Sequence, residues 1–125
     1  MYIVLDTETG GIGLDKSLLT AYFMVCDDQF QKVDDLYLVV KPDDGIYRVN
    51  GEAMGINKIN LVEHDKVAIT YKKAGTALYQ FLVKSFARKM DRMIPVGHGM
   101  SGDLDHIFDK LMARATWETF VSYLR

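Results

Sequence analysis

The chain has 125 residues, 49% hydrophobic and 26% charged, with a formal net charge of -2, a size and balance that fit one globular domain burying roughly two thirds of its unfolded surface. This excludes wholesale disorder and a second independent core, the strand-sized apolar runs exclude a membrane-spanning helix, and the charge excludes a uniformly basic nucleic-acid coat. The single Cys26 excludes an internal disulfide, and Met1 leads straight into YIVL without the flanks of a secretory signal, so a reducing, cytoplasmic setting is expected.

In chain order, MYIVLD reads as a short continuous apolar strand, the pattern of a sheet covered on both faces. SLLTAYFMVCD (17–27) is a second, longer strand, DDQFQK a turn, and LYLVVKP a third strand stopped by Pro42 and DDG. Three strands in succession predict an antiparallel meander. GEAMGINKINLVEH then holds two short helical segments, with Asn60 placed to cap the second.

The longest helix is TYKKAGTALYQFLVKSFARKMD, with Thr70 as its cap and Ala74, Ala77, Leu78, Phe81, Leu82, Phe86 and Met90 as its apolar stripe. RMIPVGH is a short strand, and SGDLDHIFDKLMARA an amphipathic helix with Leu104, Ile107, Phe108, Leu111, Met112 and Ala115 on one face. A strand reached through a helical crossover should run parallel to an earlier one, which predicts an α/β fold with a mixed sheet. The closing TWETFVSYLR reads equally as strand or helix.

The chemistry centres on YIVLDTETGGIG (2–13). Residues two apart on a strand project to one side, so Asp6 and Glu8 can share a cation, and the glycines at 10, 11 and 13 let another backbone approach closely. The same residues also fit the solvated end of a strand followed by a turn. VLDTETGG resembles the first motif of the DEDD, or DnaQ-like, family of 3'→5' exonucleases. GEAMGINKI (51–59) resembles the segment that helps line the terminal-nucleotide pocket in the proofreading subunits of bacterial replicative polymerases. IPVGHGMSGDLDHI (94–107) resembles the family's second motif, in which a His is followed five positions later by an Asp at a helix start.

The resemblance implies a ribonuclease H-like fold: a three-strand antiparallel meander plus a parallel strand, with flanking helices. It implies hydrolysis of phosphodiester bonds in DNA or RNA from a single-stranded 3' end, with Mg2+ or Mn2+ as cofactor. Asp6, Glu8 and Asp103 match the metal-binding carboxylates, and the backbone from Thr7 through Thr9, Gly10 and Gly11 matches the grip on the terminal nucleotide. Met54 and Ile59 match pocket-wall positions, and serve equally well as core residues. Helical periodicity leaves Asp105 open beside Asp103, and the spacing from His98 favours Asp103. His98 matches the second motif's histidine position, because HGMSGD follows a strand and is poor material for a helix bearing a general base. His64 and His106 are expected at the surface.

Gly99 and Gly102 depart from the Asn and Phe usual in the second motif. Thr116 onward contains no His and no Asp, whereas the family continues into a strand and a helix that bear a general base and a fourth carboxylate. The resemblance therefore implies a single domain over residues 1–125 that is incomplete at its C-terminus, with MIPVG as an exposed sheet edge that a second copy or a partner chain would cover. An inactive nucleic-acid-binding or partner-binding remnant, or a piece of a longer exonuclease, stands as the alternative. Lys72, Lys73, Lys84, Arg88, Lys89 and Arg92 on and after the long helix fit either a phosphate-tracking surface or a solvated helix face.

Overall fold

A computed structural model describes residues 1–123. Strands β1 (Tyr2–Thr9), β2 (Leu18–Cys26) and β3 (Lys32–Lys41) form the expected antiparallel meander. Helices α1 (Gly51–Asn57) and α2 (Leu61–Val67) follow, then the two-residue strand β4 (Ile69–Thr70) and the long helix α3 (Tyr71–Lys89). The chain closes with β5 (Ile94–Val96), α4 (Met100–Lys110) and α5 (Arg114–Phe120). Among the described residues the strands make one sheet in the order β4-β3-β2-β1-β5, with β5 parallel to β1 and β4 parallel to β3. No helix among them is long and apolar enough to cross a membrane.

Strand alternation divides the sheet into two unlike faces. Ile3, Leu5, Ala21, Phe23, Val25, Leu38 and Val40 are buried in the main core, with Leu78 and Leu82 from α3, Ile107 from α4 and Trp117 from α5. On the opposite face the paired positions Val4 and Met24, Asp6 and Tyr22, and Tyr22 and Tyr37 are half-buried or exposed. MYIVLD is thus a strand fully buried on one face, and its unbroken apolar run comes from Val4, half-buried on the other.

The caps follow from local chemistry. Asn60 Oδ1 accepts from the Val62 and Glu63 amides, and Thr70 Oγ1 from the Lys73 amide, as expected. Asn50, not foreseen, caps α1 by accepting from the Ala53 amide at 2.8 Å. Two expected stripe residues are exposed. Met90 ends α3 in the left-handed region, with φ 52°, and its amide donates to Phe86 O; the turn of backbone swings its side chain into solvent, 76% exposed. Ala115 belongs to α5 and not to α4, because α4 stops at Lys110 and the chain redirects there, so the face that Ala115 would have shared is gone.

The expected open edge at MIPVG is also partly closed by the chain itself. Met93 donates to Phe120 O, and the Ser122 amide donates to Met93 O, a parallel bridge that sets Val121 beside Met93. The closing segment is therefore helix first and bridge afterwards, which explains why its sequence reads both ways.

Helix α3 packs closely on the end of α4. A Cβ at Gly75 would strike the Leu111 carbonyl oxygen, a backbone atom with little room to move. Gly75→Ala should therefore lower stability by about 1–3 kcal/mol in urea unfolding, opposite to the gain of about 1 kcal/mol that alanine brings to an unobstructed helix. Unchanged or increased stability would show that the two helices have room to separate.

Candidate active site

The C-terminal end of β1 meets the start of α4. Leu5 points into the core, Asp6 and Glu8 are exposed on the open face, and Thr7 turns toward α4. There the Thr7 hydroxyl donates a short hydrogen bond to Asp103 Oδ1. Asp103 lies in the first turn of α4 and is half-buried; its Oδ2 is buried with no hydrogen-bond partner among the described residues. Asp105 is exposed and lines a separate groove with Arg114, so the first-turn acid that faces β1 is Asp103.

The three carboxylates influence one another. Partial burial pushes the Glu8 carboxyl above the usual carboxylate range, and the negative charges of Asp6 and Asp103 add to the rise. Burial likewise raises Asp103, with Asp6 contributing and the Thr7 hydrogen bond opposing. All the donors are hard oxygens, which suits Mg2+ or Mn2+, and an unsatisfied buried carboxylate oxygen in a field of like charge is chemistry that a divalent cation relieves. As they stand, no three Asp, Glu, His or Cys side chains among the described residues converge tightly enough to enclose an ion.

The loop after β1 is clamped by the segment before α1. The Gly10 amide donates to Ser17 O, the Asn50 amide to Gly10 O, and the Arg48 amide to Ser17 Oγ. A Cβ at Gly10 would stand 2.7 Å from Arg48 O and 2.6 Å from Val49 Cγ1, so the close backbone approach needs glycine. From α1, Asn57 Nδ2 donates to Thr9 O at 3.0 Å, fastening the helix to the strand end.

These contacts frame a cleft of about 360 Å³. Thr7, Glu8, Thr9, Gly11 and Asp103 line it, as do Gly99 and Gly102. Asp6 stands outside the lining, paired with Tyr22 across the sheet, and Gly10 is buried beneath it. Met54 and His98 do not line it; His98 is exposed on the turn that leads into α4. Ile59 lines a neighbouring cleft that shares Glu8. The lining also takes in Ile12, Ala53, Ile56, Asn57 and His106, none of them expected at the site from the sequence. Helical spacing could have found His106, which follows Asp103 by three residues and so shares its face.

Both histidines expected at the surface are buried. His64 is 7% exposed and its Nε2 lies 2.7 Å from Val40 O, while its ring meets Tyr47 edge-on. His106 is 6% exposed; burial, with Lys110 nearby, lowers its pKa, against the opposing influence of Asp109 and Asp105. Of the basic side chains, Lys84 and Arg88 pair with Asp34 of β3, so that part of α3 is held to the sheet.

No family model and no curated sequence matches the chain. Solved structures do resemble it, among them three exonuclease structures. E. coli exonuclease I in complex with a dT13 oligonucleotide superposes with a TM-score of 0.75 at 16% identity, over 97% of this chain and 26% of that one. A complex described as ExoI/SSB-Ct gives 0.74 at 16%, over 97% and 27%. Exonuclease X in complex with 5' overhanging duplex DNA gives 0.53 at 19%, over 90% and 56%. The chain thus spans about a quarter of the length of the first two. What is shared at this identity is architecture: the mixed five-strand sheet with flanking helices is the ribonuclease H-like fold of these exonucleases.

Proposed function

We propose that this chain is a 3'→5' exonuclease-type domain that hydrolyses phosphodiester bonds in DNA or RNA, with Mg2+ or Mn2+ held by Asp6, Glu8 and Asp103. The observation that supports the reading is that Glu8 from β1 and Asp103 from α4, the latter with a buried unpartnered oxygen, line one nucleotide-sized cleft, with Asp6 two residues before Glu8 on the same strand. Bound divalent ions would supply Lewis acidity toward the attacking water and the departing 3' oxygen. The protein's own part is positional. Thr7 holds the Asp103 carboxylate in place, and the clamped loop from Thr9 to Gly11 gives the terminal nucleotide a rigid backbone edge. Ile12 and Ile56, 97% and 76% exposed, offer apolar contact to a base. His98 and Met54 lie outside the cleft lining, and their part would be contact with the strand as it approaches.

The alternative is a noncatalytic binding module. It is favoured by one observation: Asp6 stands outside the cleft that Glu8 and Asp103 line, so the three carboxylates do not all face one ligand there. In either case the part of the β5 edge beyond Met93 is where a partner chain or second copy would sit, in a cytoplasmic setting.

The deciding experiment uses 5'-labelled single-stranded DNA and RNA oligonucleotides with Mn2+, beside Asp6→Ala. Stepwise shortening from the 3' end that requires the metal and disappears in the variant supports the enzyme. Binding without cleavage by the folded chain favours the noncatalytic module, and absence of both overturns the nucleic-acid reading.

A further inference from the structure

His106 is a buried imidazole whose Nδ1 is left without a hydrogen-bond partner among the described residues. Its ring lines the cleft from α4, one turn beyond Asp103. The contrast with His64 is instructive: an equally buried imidazole there is satisfied by a strand carbonyl at 2.7 Å. A histidine kept for packing alone would be expected to find such a partner, because an unsatisfied buried polar atom costs about 1–3 kcal/mol. Leucine or phenylalanine would fill the same space without that penalty.

The surroundings indicate what the ring can meet. Ile12 and Ile56, from the loop after β1 and from α1, bring apolar side chains to the same cleft, and Thr7, Asn57 and Asp103 bring polar ones. A flat, partly polar ligand fits this set: an apolar contact for a face, hydrogen-bonding groups for an edge. We infer that His106 is a substrate-contacting residue, its imidazole hydrogen-bonding a nucleotide seated against Ile12 and Ile56. The inference rests on the nuclease reading and adds to it a residue that no part of the resemblance marks. A neutral ring suits the role, since it offers one donor and one acceptor and adds no charge beside the carboxylates.

The test measures binding, not turnover. A 5'-fluorescein oligothymidylate is titrated by anisotropy with Ca2+ in place of Mg2+, against wild type, His106→Phe, His106→Asn and His106→Gln, each checked for folding by circular dichroism. Phe should weaken binding roughly tenfold, the loss of one hydrogen bond. Either Asn or Gln, whose amides approach the Nδ1 and Nε2 positions, should recover part of it. In wild type, the His106 ring nitrogen resonances should shift on addition of thymidine 5'-monophosphate. This readout stands even if the Phe variant fails to fold. Equal affinity for wild type and Phe, or ring resonances that ignore the mononucleotide while the oligonucleotide still binds, overturns the inference alone. Failure of wild type to bind either probe overturns the nuclease reading, and the inference with it.

Discussion

Asp103→Asn should leave the protein folded, make it more stable at neutral pH, and lower metal-dependent cleavage on the order of 10²-fold or more. The stability gain follows from the sign of the shift. Asp103 is raised above its unfolded value by burial and by Asp6, so in the pH window between the two values the folded state holds more protons than the unfolded one. Stability is therefore lost as pH rises through that window, and the full penalty persists above it. Asparagine has no charge to bury and still presents an oxygen to the Thr7 hydroxyl, so it removes the penalty and keeps the hydrogen bond. Urea unfolding of both proteins between pH 4 and pH 7 checks this. The advantage of the variant should grow with pH, and an advantage that is flat or reversed would show that Asp103 is stabilised by its site. Mn2+ should raise the melting temperature of wild type by mass action and leave the variant nearly unmoved.

Trp117→Ala should destabilise the fold by about 3–5 kcal/mol, which at the usual stability of a domain this size removes a large share of the total. Trp117 is fully buried, with its ring 6.2 Å from Phe23 of β2 and 6.3 Å from Phe108 of α4. It therefore joins the sheet to the helix that carries Asp103. The same short helix ends at Phe120, which packs edge-on against Tyr79 and Phe86 of α3 and accepts the Met93 amide. Trp117→Phe should be milder, because the indole Nε1 has no hydrogen-bond partner among the described residues and phenylalanine discards an unsatisfied donor. Circular dichroism in urea gives both values. A loss under 1 kcal/mol for alanine would mean that α5 only rests on the core.

Much of the scaffold could be read from local pattern. The meander follows from three apolar runs separated by turn-forming residues, and the capping of α2 and α3 from Asn60 and Thr70 standing before helical periodicity. The parallel placement of β5 follows from the crossover that precedes it. Asp6, Glu8 and Asp103 could be nominated together only because three distant stretches resemble one family, since an Asp and a Glu two residues apart are common at strand ends. Met90, Ala115, His64 and His106 were misjudged for one shared reason. The exposure of each depends on where its element stops or what lies against it.

The order and kind of the main elements and the positions where chemistry could reside are legible in the chain because periodicity and capping act over a few residues, whereas the one-sided burial of β1 is not, since Val4 keeps its apolar run unbroken. Only the tertiary structure decided that the first-turn acid facing β1 is Asp103 and not Asp105, that Met93 and Val121 close part of the β5 edge, and that Ile12, Ile56, Asn57 and His106 share one cleft. Those outcomes arise where the loop after β1, α1 and α4 meet, and no segment carries within itself the faces of the others.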